Sequence, residues 1–436
     1  MPFDGVAGLP GAEVRELARE TRFEQRAARK IGPVVFAAAL YELSVAGTCS
    51  FNDLAARIDE AEGGLVSRQA VAKRMGGPCV DFLQAILNRV LARRCTAAAK
   101  AEAEPIRYGR VLVQDSTVVR LPAGLFGEFS GVSNGSSTVC NARIQTVYDL
   151  VEGVFVRFSI DPYSRNDLAV APELELRAGD LTLRDRGYLL AAEIQRHLDV
   201  GADCIYRHKF GTIYLDPETG EPIDLPGILR QRGAIDMDVC LNNPSRTPVR
   251  LVAAPADEET ANLRRARAKR DTKGHAPSKE LLDLMSWTLF LTTIPRERAS
   301  FRQILDTYGL RWRIETVFKA WKSELRMHRI HNVSANQLRA LLIARMTVLA
   351  AGMRDVFHRA REAIHKLCQK DLSMIKTFRY IAAGRMAIAE FNQALSQGPR
   401  LNRQLKRLAR YCTYDRRKRE NFNEKWGRWI DELALG

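Results

Sequence analysis

The stretch Tyr308-Gly-Leu-Arg311-Trp-Arg-Ile-Glu315-Thr-Val-Phe-Lys-Ala-Trp-Lys322 decides how this chain is read. No Gly or Pro follows Gly309 and good helix formers fill most of the stretch, so one helix is expected over it. At about 100° per residue, Tyr308, Arg311, Glu315 and Lys322 then fall within roughly 60° of one another and share a face. Ile314, Phe318 and Trp321 lie to one side, where they can anchor the helix on a core. The polar face is a carboxylate flanked by two cations and a phenol, a set that suits a metal ion beside a phosphate backbone. Mixed-charge helix faces are ordinarily just solvated. A catalytic reading therefore requires more carboxylates elsewhere in the chain.

Two candidates stand on predicted strands upstream. Arg110 to Leu121 is rich in branched residues with Asp115 amid an otherwise apolar run, and Leu181 to Tyr188 is a short strand ending at Asp185. Strands are also predicted over Ile144 to Val151 and Val154 to Ile160, joined by a Glu152-Gly153 turn, and helices over Leu168 to Arg177 and Leu189 to Leu198. Strands followed by strand and helix imply a mixed-sheet α/β domain. An aspartate in a strand is unfavourable and costly to bury without a partner, although capping a turn at a strand end is its ordinary use.

The spacing Tyr308-x2-Arg311-x3-Glu315-x6-Lys322 resembles the signature of the bacterial cut-and-paste transposases called the insertion-sequence-four family. Arg311 to Glu315 and Lys319 to Lys322 resemble the transposon-five transposase in particular. Asp115-Ser-Thr and Asp185-Arg-Gly-Tyr188 resemble the first two acidic motifs of the same family, in the right order, so the similarity runs from about Val111 to Lys322. It implies a ribonuclease-H-like catalytic core with Asp115, Asp185 and Glu315 as catalytic, metal-holding carboxylates. It also implies two Mg²⁺ ions, with Mn²⁺ as a substitute, and in-line attack on a phosphodiester by water or a DNA 3′-hydroxyl. Arg311, Lys322 and Tyr308 would hold phosphates near the scissile bond. Trp312, one position off the face, either stacks on a base or packs in the core.

From Asp115 to Asp185 is 70 residues and from Asp185 to Glu315 is 130, too many for one strand and two helices. The excess holds strand candidates Tyr206 to Tyr214, Ile235 to Leu241 and Val249 to Ala254 between turn-rich pieces, so a β-rich insertion is expected over 206–285. The basic run Arg264 to Arg270 follows, and a strand over Trp287 to Ile294 returns to the core. The expected organisation is a helical DNA-binding domain over 1–100, core over 101–205 and 286–345, and a helical region over 346–436 for DNA contact or dimerisation.

In the first hundred residues Glu13 to Lys30, Val34 to Leu43 and Phe51 to Ile58 read as helices. Ser67 is a good N-cap for Arg68 to Met75, with Ala70, Val71 and Met75 toward a core and Arg68, Gln69, Lys73 and Arg74 outward. Behind a Gly63-Gly64 turn, this resembles a helix-turn-helix recognition element, although a basic surface helix in a bundle would look similar.

Composition supports these readings. An excess of 67 Lys+Arg over 51 Asp+Glu gives a net charge of +16, which calls for a polyanionic partner, nucleic acid before an acidic membrane; the resemblance implies that it is double-stranded DNA. No apolar run reaches about 18 residues and Arg345 interrupts Leu341 to Met353, so no membrane span is expected. Met1 to Glu20 lacks signal-peptide features, and the expected location is the bacterial cytoplasm, at the nucleoid. The eight cysteines contain no Cys-x2-Cys pair and read as reduced thiols; His328 and His331 have no nearby Cys partners for zinc. The tail is basic at Arg403, Lys406, Arg407, Arg410 and Arg416 to Arg419. A homodimer is expected from the need to pair two transposon ends before joining them to target DNA. A ribonuclease-H-like nuclease that cuts without joining, and a DNA-binding regulator with a dead site, are the alternatives; intact Asp115, Asp185 and Glu315 argue against the latter.

Overall fold

The computed structural model describes residues 5–26, 30–46, 49–93, 108–131, 139–165, 171, 173–271, 276–324, 330, 333–383 and 403–414. The fold is mixed α/β, with many helices and one large mixed sheet. Strands are β1 (Gly5–Val6), β2 (Leu9–Pro10), β3 (Arg110–Arg120), β4 (Asn141–Asp149), β5 (Val154–Pro162), β6 (Asp180–Arg184), β7 (Asp203–Arg207), β8 (Tyr214–Leu215), β9 (Ile235–Leu241), β10 (Pro248–Pro255) and β11 (Trp287–Thr292). The large sheet has the order β5-β4-β3-β6-β7-β11-β10-β9-β8. The chain divides into two compact units, and β3 belongs to both, changing unit after Asp115.

The first unit takes Met1–Ala101, Ser116–Pro172 and Arg313–Arg419. Its helices Gly11–Glu20, Pro33–Ala46, Phe51–Glu62, Arg68–Arg74 and Gly77–Ala92 follow the antiparallel pair of β1 and β2, which corrects the expectation of an all-helical beginning. The helix expected over Glu13 to Lys30 stops at Glu20, because Thr21 turns its hydroxyl back onto the Leu17 carbonyl at 2.7 Å and Arg22 adopts φ +56. The helix Ala335–Ala351 is buried almost all round and packs on Gly77–Ala92 and Pro33–Ala46. Arg345, the buried charge within it, donates from Nε to the Ser44 carbonyl at 2.8 Å, and burial lowers its guanidinium to about 10. Among the described residues no helix is long and apolar enough to cross a membrane. β4 and β5 form an antiparallel hairpin with an irregularity at Val147/Tyr148. At its turn Gly153 has φ +67, and a Cβ there would run into the His358 ring, which bonds the Gly153 carbonyl.

The second unit takes Glu102–Asp115, Glu173–Trp312 and Glu420–Gly436. β3, β6 and β7 run parallel, β11 is antiparallel to β7, and β10, β9 and β8 continue the antiparallel edge. The segment 206–285 thus adds its strands to the same sheet, and also supplies helices Leu225–Arg232, Glu258–Asp271 and Lys279–Leu284. The strand expected over Tyr206 to Tyr214 is split into the end of β7 and the short β8, since Gly211 at φ +85 and the Lys209–Thr212 turn interrupt it. Residues 173–177 are not helical, which corrects that part of the helix expected over Leu168 to Arg177. They lead through a turn into β6, and the Arg177 N–H is taken by Asp180 Oδ2 at 2.7 Å. In the basic run, Arg264 and Arg265 bond the Trp287 and Leu282 carbonyls, tying their helix to the neighbouring segment.

The single helix expected over Tyr308 to Lys322 is two. Phe301–Gly309, opened by a Ser300/Gln303 capping box, ends at Gly309, and Trp312–Glu324 begins after a turn at Leu310 and Arg311. Gly309 is the weakest helix former of the stretch, and the turn is closed by Leu310 and Arg311 N–H bonds to the Thr307 and Tyr308 carbonyls. His328, His331, Ala97–Glu104 and Arg416–Arg419 lie outside the described residues. The seven described cysteines are all free thiols.

Candidate active site

The parallel register of β3 and β6 sets Val113 opposite Leu183 and Gln114 opposite Arg184. One residue beyond the last registered pair stand Asp115, still on β3, and Asp185, the residue that follows β6, so continuing the ladder puts them on neighbouring strands, which in a sheet lie ~4.8 Å apart. β6 and β7 pair Arg184 with Tyr206, so the next residue, Arg207, continues this row, and Arg207 is itself opposite Phe290 of β11. Side chains alternate across a sheet, so Asp115, Asp185, Arg207 and Phe290 share one face. Asp185 is extended, with φ −76 and ψ 164, and leads into the single turn Arg186–Tyr188 that carries the chain off the sheet. The acidic pair therefore sits where β6 ends.

Over this row lies the end of the helix Phe301–Gly309. Tyr308 is 6% exposed, its ring centroid 4.4 Å from that of Phe290. Burial raises its phenol, against the nearby Arg311 and with Asp185 adding to the rise; its hydroxyl has no hydrogen-bond partner. Arg311 is 7% exposed, lies 5.6 Å from the Tyr308 ring centroid and donates from Nη1 to Asp115 Oδ2 at 2.9 Å. Neither Tyr308 nor Arg311 is spread along an exposed phosphate-holding face. Tyr308 is packed into the sheet, and Arg311 neutralises an aspartate.

Asp185 Oδ1 is buried without a hydrogen-bond partner, an expensive state for a carboxylate oxygen and one that a cation would relieve. Two hard oxygen donors side by side suit a divalent metal. Among the described residues no three His, Cys, Asp or Glu side chains stand together as a metal-holding group. In this conformation the Arg311 guanidinium supplies positive charge at Asp115.

Glu315 and Lys322 lie in the first unit, on Trp312–Glu324. Glu315 is half-buried beside the buried Ile314, Val317 and Phe318, while Lys322 is exposed. Trp312 is 62% exposed, so it does not pack in the core. In the amino-terminal helices, Ser67 caps Arg68–Arg74 through the Ala70 N–H. Arg68, Gln69 and Lys73 are exposed, and Arg68 and Gln69 line a shallow concavity with Ser50, Phe51, Asn52 and Ala72. Arg74 turns inward: its Nη1 donates to the Phe23 carbonyl at 3.0 Å and its guanidinium lies 5.1 Å from the Phe23 ring centroid. Sequence reasoning missed Arg207, because only strand register reveals that it continues the acidic row.

A mixed α/β fold thus brings two aspartates to the end of a parallel strand, a donor set that suits a divalent cation. The model of the transposase DDE domain matches residues 108–350, more than half of the chain. The protein belongs to the DDE transposase family, as DNA-cleaving and transposing enzymes with a divalent metal cofactor. It is similar to the transposase for insertion sequence element IS231D of Bacillus thuringiensis subsp. finitimus, 25% identical over 390 residues, covering 84% of this chain and 81% of that one. It is also similar to the IS1151 transposase of Clostridium perfringens, 23% identical with coverage of 84% and 82%. A third relative is the putative transposase InsL of IS186A from Escherichia coli K12, 26% identical with coverage of 73% and 84%. A piggyBac transposase synaptic complex with hairpin DNA shares 10% identity at a TM-score of 0.44, over 95% of this chain and 84% of that one.

Proposed function

We propose that Asp115, Asp185 and Glu315 are the acidic triad of a cut-and-paste transposase that cleaves the ends of its own insertion sequence and joins them to target DNA. The observation that carries this is the register that sets Asp115 beside Asp185, with one Asp185 oxygen buried and unpartnered. The core is read as ribonuclease-H-like over 101–205 and 286–345, with 206–285 as a β-rich insertion, 1–100 as the end-binding domain and 346–436 as the region for DNA contact or dimerisation. The metal would be Mg²⁺, as two ions with Mn²⁺ as a substitute, and it would supply Lewis acidity for attack on a phosphodiester.

The chain's own groups have distinct tasks. Asp115, Asp185 and Glu315 would hold the metal. Exposed Lys322 draws a phosphate, and exposed Trp312 offers a stacking face to a base. Arg311 balances the charge of Asp115 before metal and DNA arrive, while Tyr308 fixes the Arg311 turn over the sheet. Arg68, Gln69 and Lys73 stand where base edges and phosphates of a terminal repeat can be met. Two protomers pair two ends, in the cytoplasm at the nucleoid.

The test is to incubate the protein with DNA carrying the flanks of its own gene, with and without Mg²⁺. Metal-dependent release of the element followed by joined products is expected. Cleavage without joining would assign a nuclease, and no cleavage with tight binding would assign a regulator.

A further inference from the structure

Beneath the acidic row lies a second, polar one. Gln114, Arg184 and Tyr206 are opposite one another on β3, β6 and β7 and are 1%, 4% and 0% exposed. They immediately precede Asp115, Asp185 and Arg207 and so point to the other face of the sheet. On that face lies the helix Ala191–Val200, which sends Glu193 to the row. Arg184 Nη1 donates to Glu193 Oε2 at 3.1 Å and to the Tyr206 hydroxyl at 3.0 Å. Its Nε, and both amide atoms of Gln114, have no hydrogen-bond partner.

Burial works to lower the Arg184 guanidinium, but Tyr206 and Glu193 outweigh it and hold it charged. Burial likewise works to raise Glu193, and its bonds to Arg196 and Arg184 bring it below the usual carboxylate range. An ion pair in this position is a poor device for stability, since well-packed apolar side chains of similar volume usually do as well. Its placement is informative instead. The charged side chain is the last residue of β6, one peptide bond from Asp185, and its two partners come from the next strand and the covering helix. Together they clamp the end of β6 against β7 and that helix, where a rotation of the backbone would swing Asp185 away from Asp115.

We propose that Arg184, held by Tyr206 and Glu193, is a positioning residue that sets the Asp115–Asp185 pair for its metal. The inference rests on the active-site reading above. It concerns groups that touch neither substrate nor metal and act through the strand end, as outer partners of metal ligands do.

The test measures Mn²⁺ binding by full-length protein without DNA, from the loss of the free-ion paramagnetic resonance signal, alongside melting temperature without metal. Tyr206→Phe removes only the hydroxyl; Arg184→Met keeps the chain's bulk, and Glu193 retains Arg196 Nη1 at 2.7 Å, so a folded protein is expected. Both variants should bind Mn²⁺ about tenfold more weakly, with melting close to that of the parent, and Arg184→Lys should recover part of the loss. Parental Mn²⁺ affinity in a folded Tyr206→Phe overturns the proposal, even if Arg184→Met fails to fold. Asp185→Ala separates the two levels. If it loses Mn²⁺ while the row variants do not, only the positioning role fails; if it binds Mn²⁺ like the parent, the active-site reading fails and takes this inference with it.

Discussion

Removing Arg311 should make the acidic pair bind metal more tightly. In the structure Arg311 Nη1 takes Asp115 Oδ2 at 2.9 Å, with the two side chains 9% and 21% exposed. A hydrogen bond between charged groups contributes about 1.5–3 kcal/mol, and the partial exposure of Asp115 argues for the middle of that range, about 2 kcal/mol. A metal that uses this oxygen must displace the guanidinium, and 2 kcal/mol corresponds to about 30-fold in affinity. Arg311→Ala should therefore bind Mn²⁺ without DNA several-fold to about 30-fold more tightly than the parent, while melting lower in the absence of metal. Arg311→Lys should fall between, because a lysine keeps the charge without the planar fork. The assay is calorimetric titration of Mn²⁺ into each protein, with metal-free melting as the control for folding. If folded Arg311→Ala binds Mn²⁺ no more tightly than the parent, the guanidinium does not compete for Asp115 and the reasoning is refuted. The sign is opposite to that expected for Tyr206→Phe, so a general loosening of the site cannot produce both results.

Asp115→Ala, Asp185→Ala and Glu315→Ala should each abolish strand cleavage while DNA-end binding, read by gel shift, persists; cleavage by any one variant removes that residue from the triad. Arg68→Ala with Gln69→Ala should reduce preference for the element's end more than affinity for random DNA in competition binding. Arg74→Ala should instead lower the melting temperature with that preference unchanged, since its guanidinium is spent on the Phe23 carbonyl and ring. Burial lowers His197 to about 4, with its ring between the Thr182 hydroxyl and the Glu193 carbonyl. The unfolded chain binds that proton near pH 6.5, so this stability is nearly complete above about pH 7 and is lost as pH falls toward 4, by about 1.6 kcal/mol between 6.5 and 5. His208, lowered to about 4 by burial and then by Arg186, adds a similar slope. Melting curves at pH 7 and 5 should show His197→Gln losing roughly half of the difference; an unchanged slope would mean that His197 is not held neutral.

The acidic residues, their order and the spacing of Tyr308, Arg311, Glu315 and Lys322 were legible because chemistry and short-range spacing are properties of the chain itself. So were β3, β9, β10 and β11 and the cap of Arg68–Arg74 by Ser67, where alternation of branched residues or a hydroxyl at the right position acts locally. Other features depended on residues far apart in the chain. The turn at Leu310 and Arg311 breaks a stretch whose helical periodicity is good, because burying Tyr308 against Phe290 and bringing Arg311 to Asp115 outweighs one continuous helix. Exposure of Trp312 and the inward turn of Arg74 likewise depend on what stands opposite. Above all, the sequence alone named Asp115 and Asp185 as carboxylates on separate strands, but only the β3–β6 register could make them neighbours. Register is a pairing of backbones 70 residues apart, fixed by which faces can be buried together, and no local pattern encodes it.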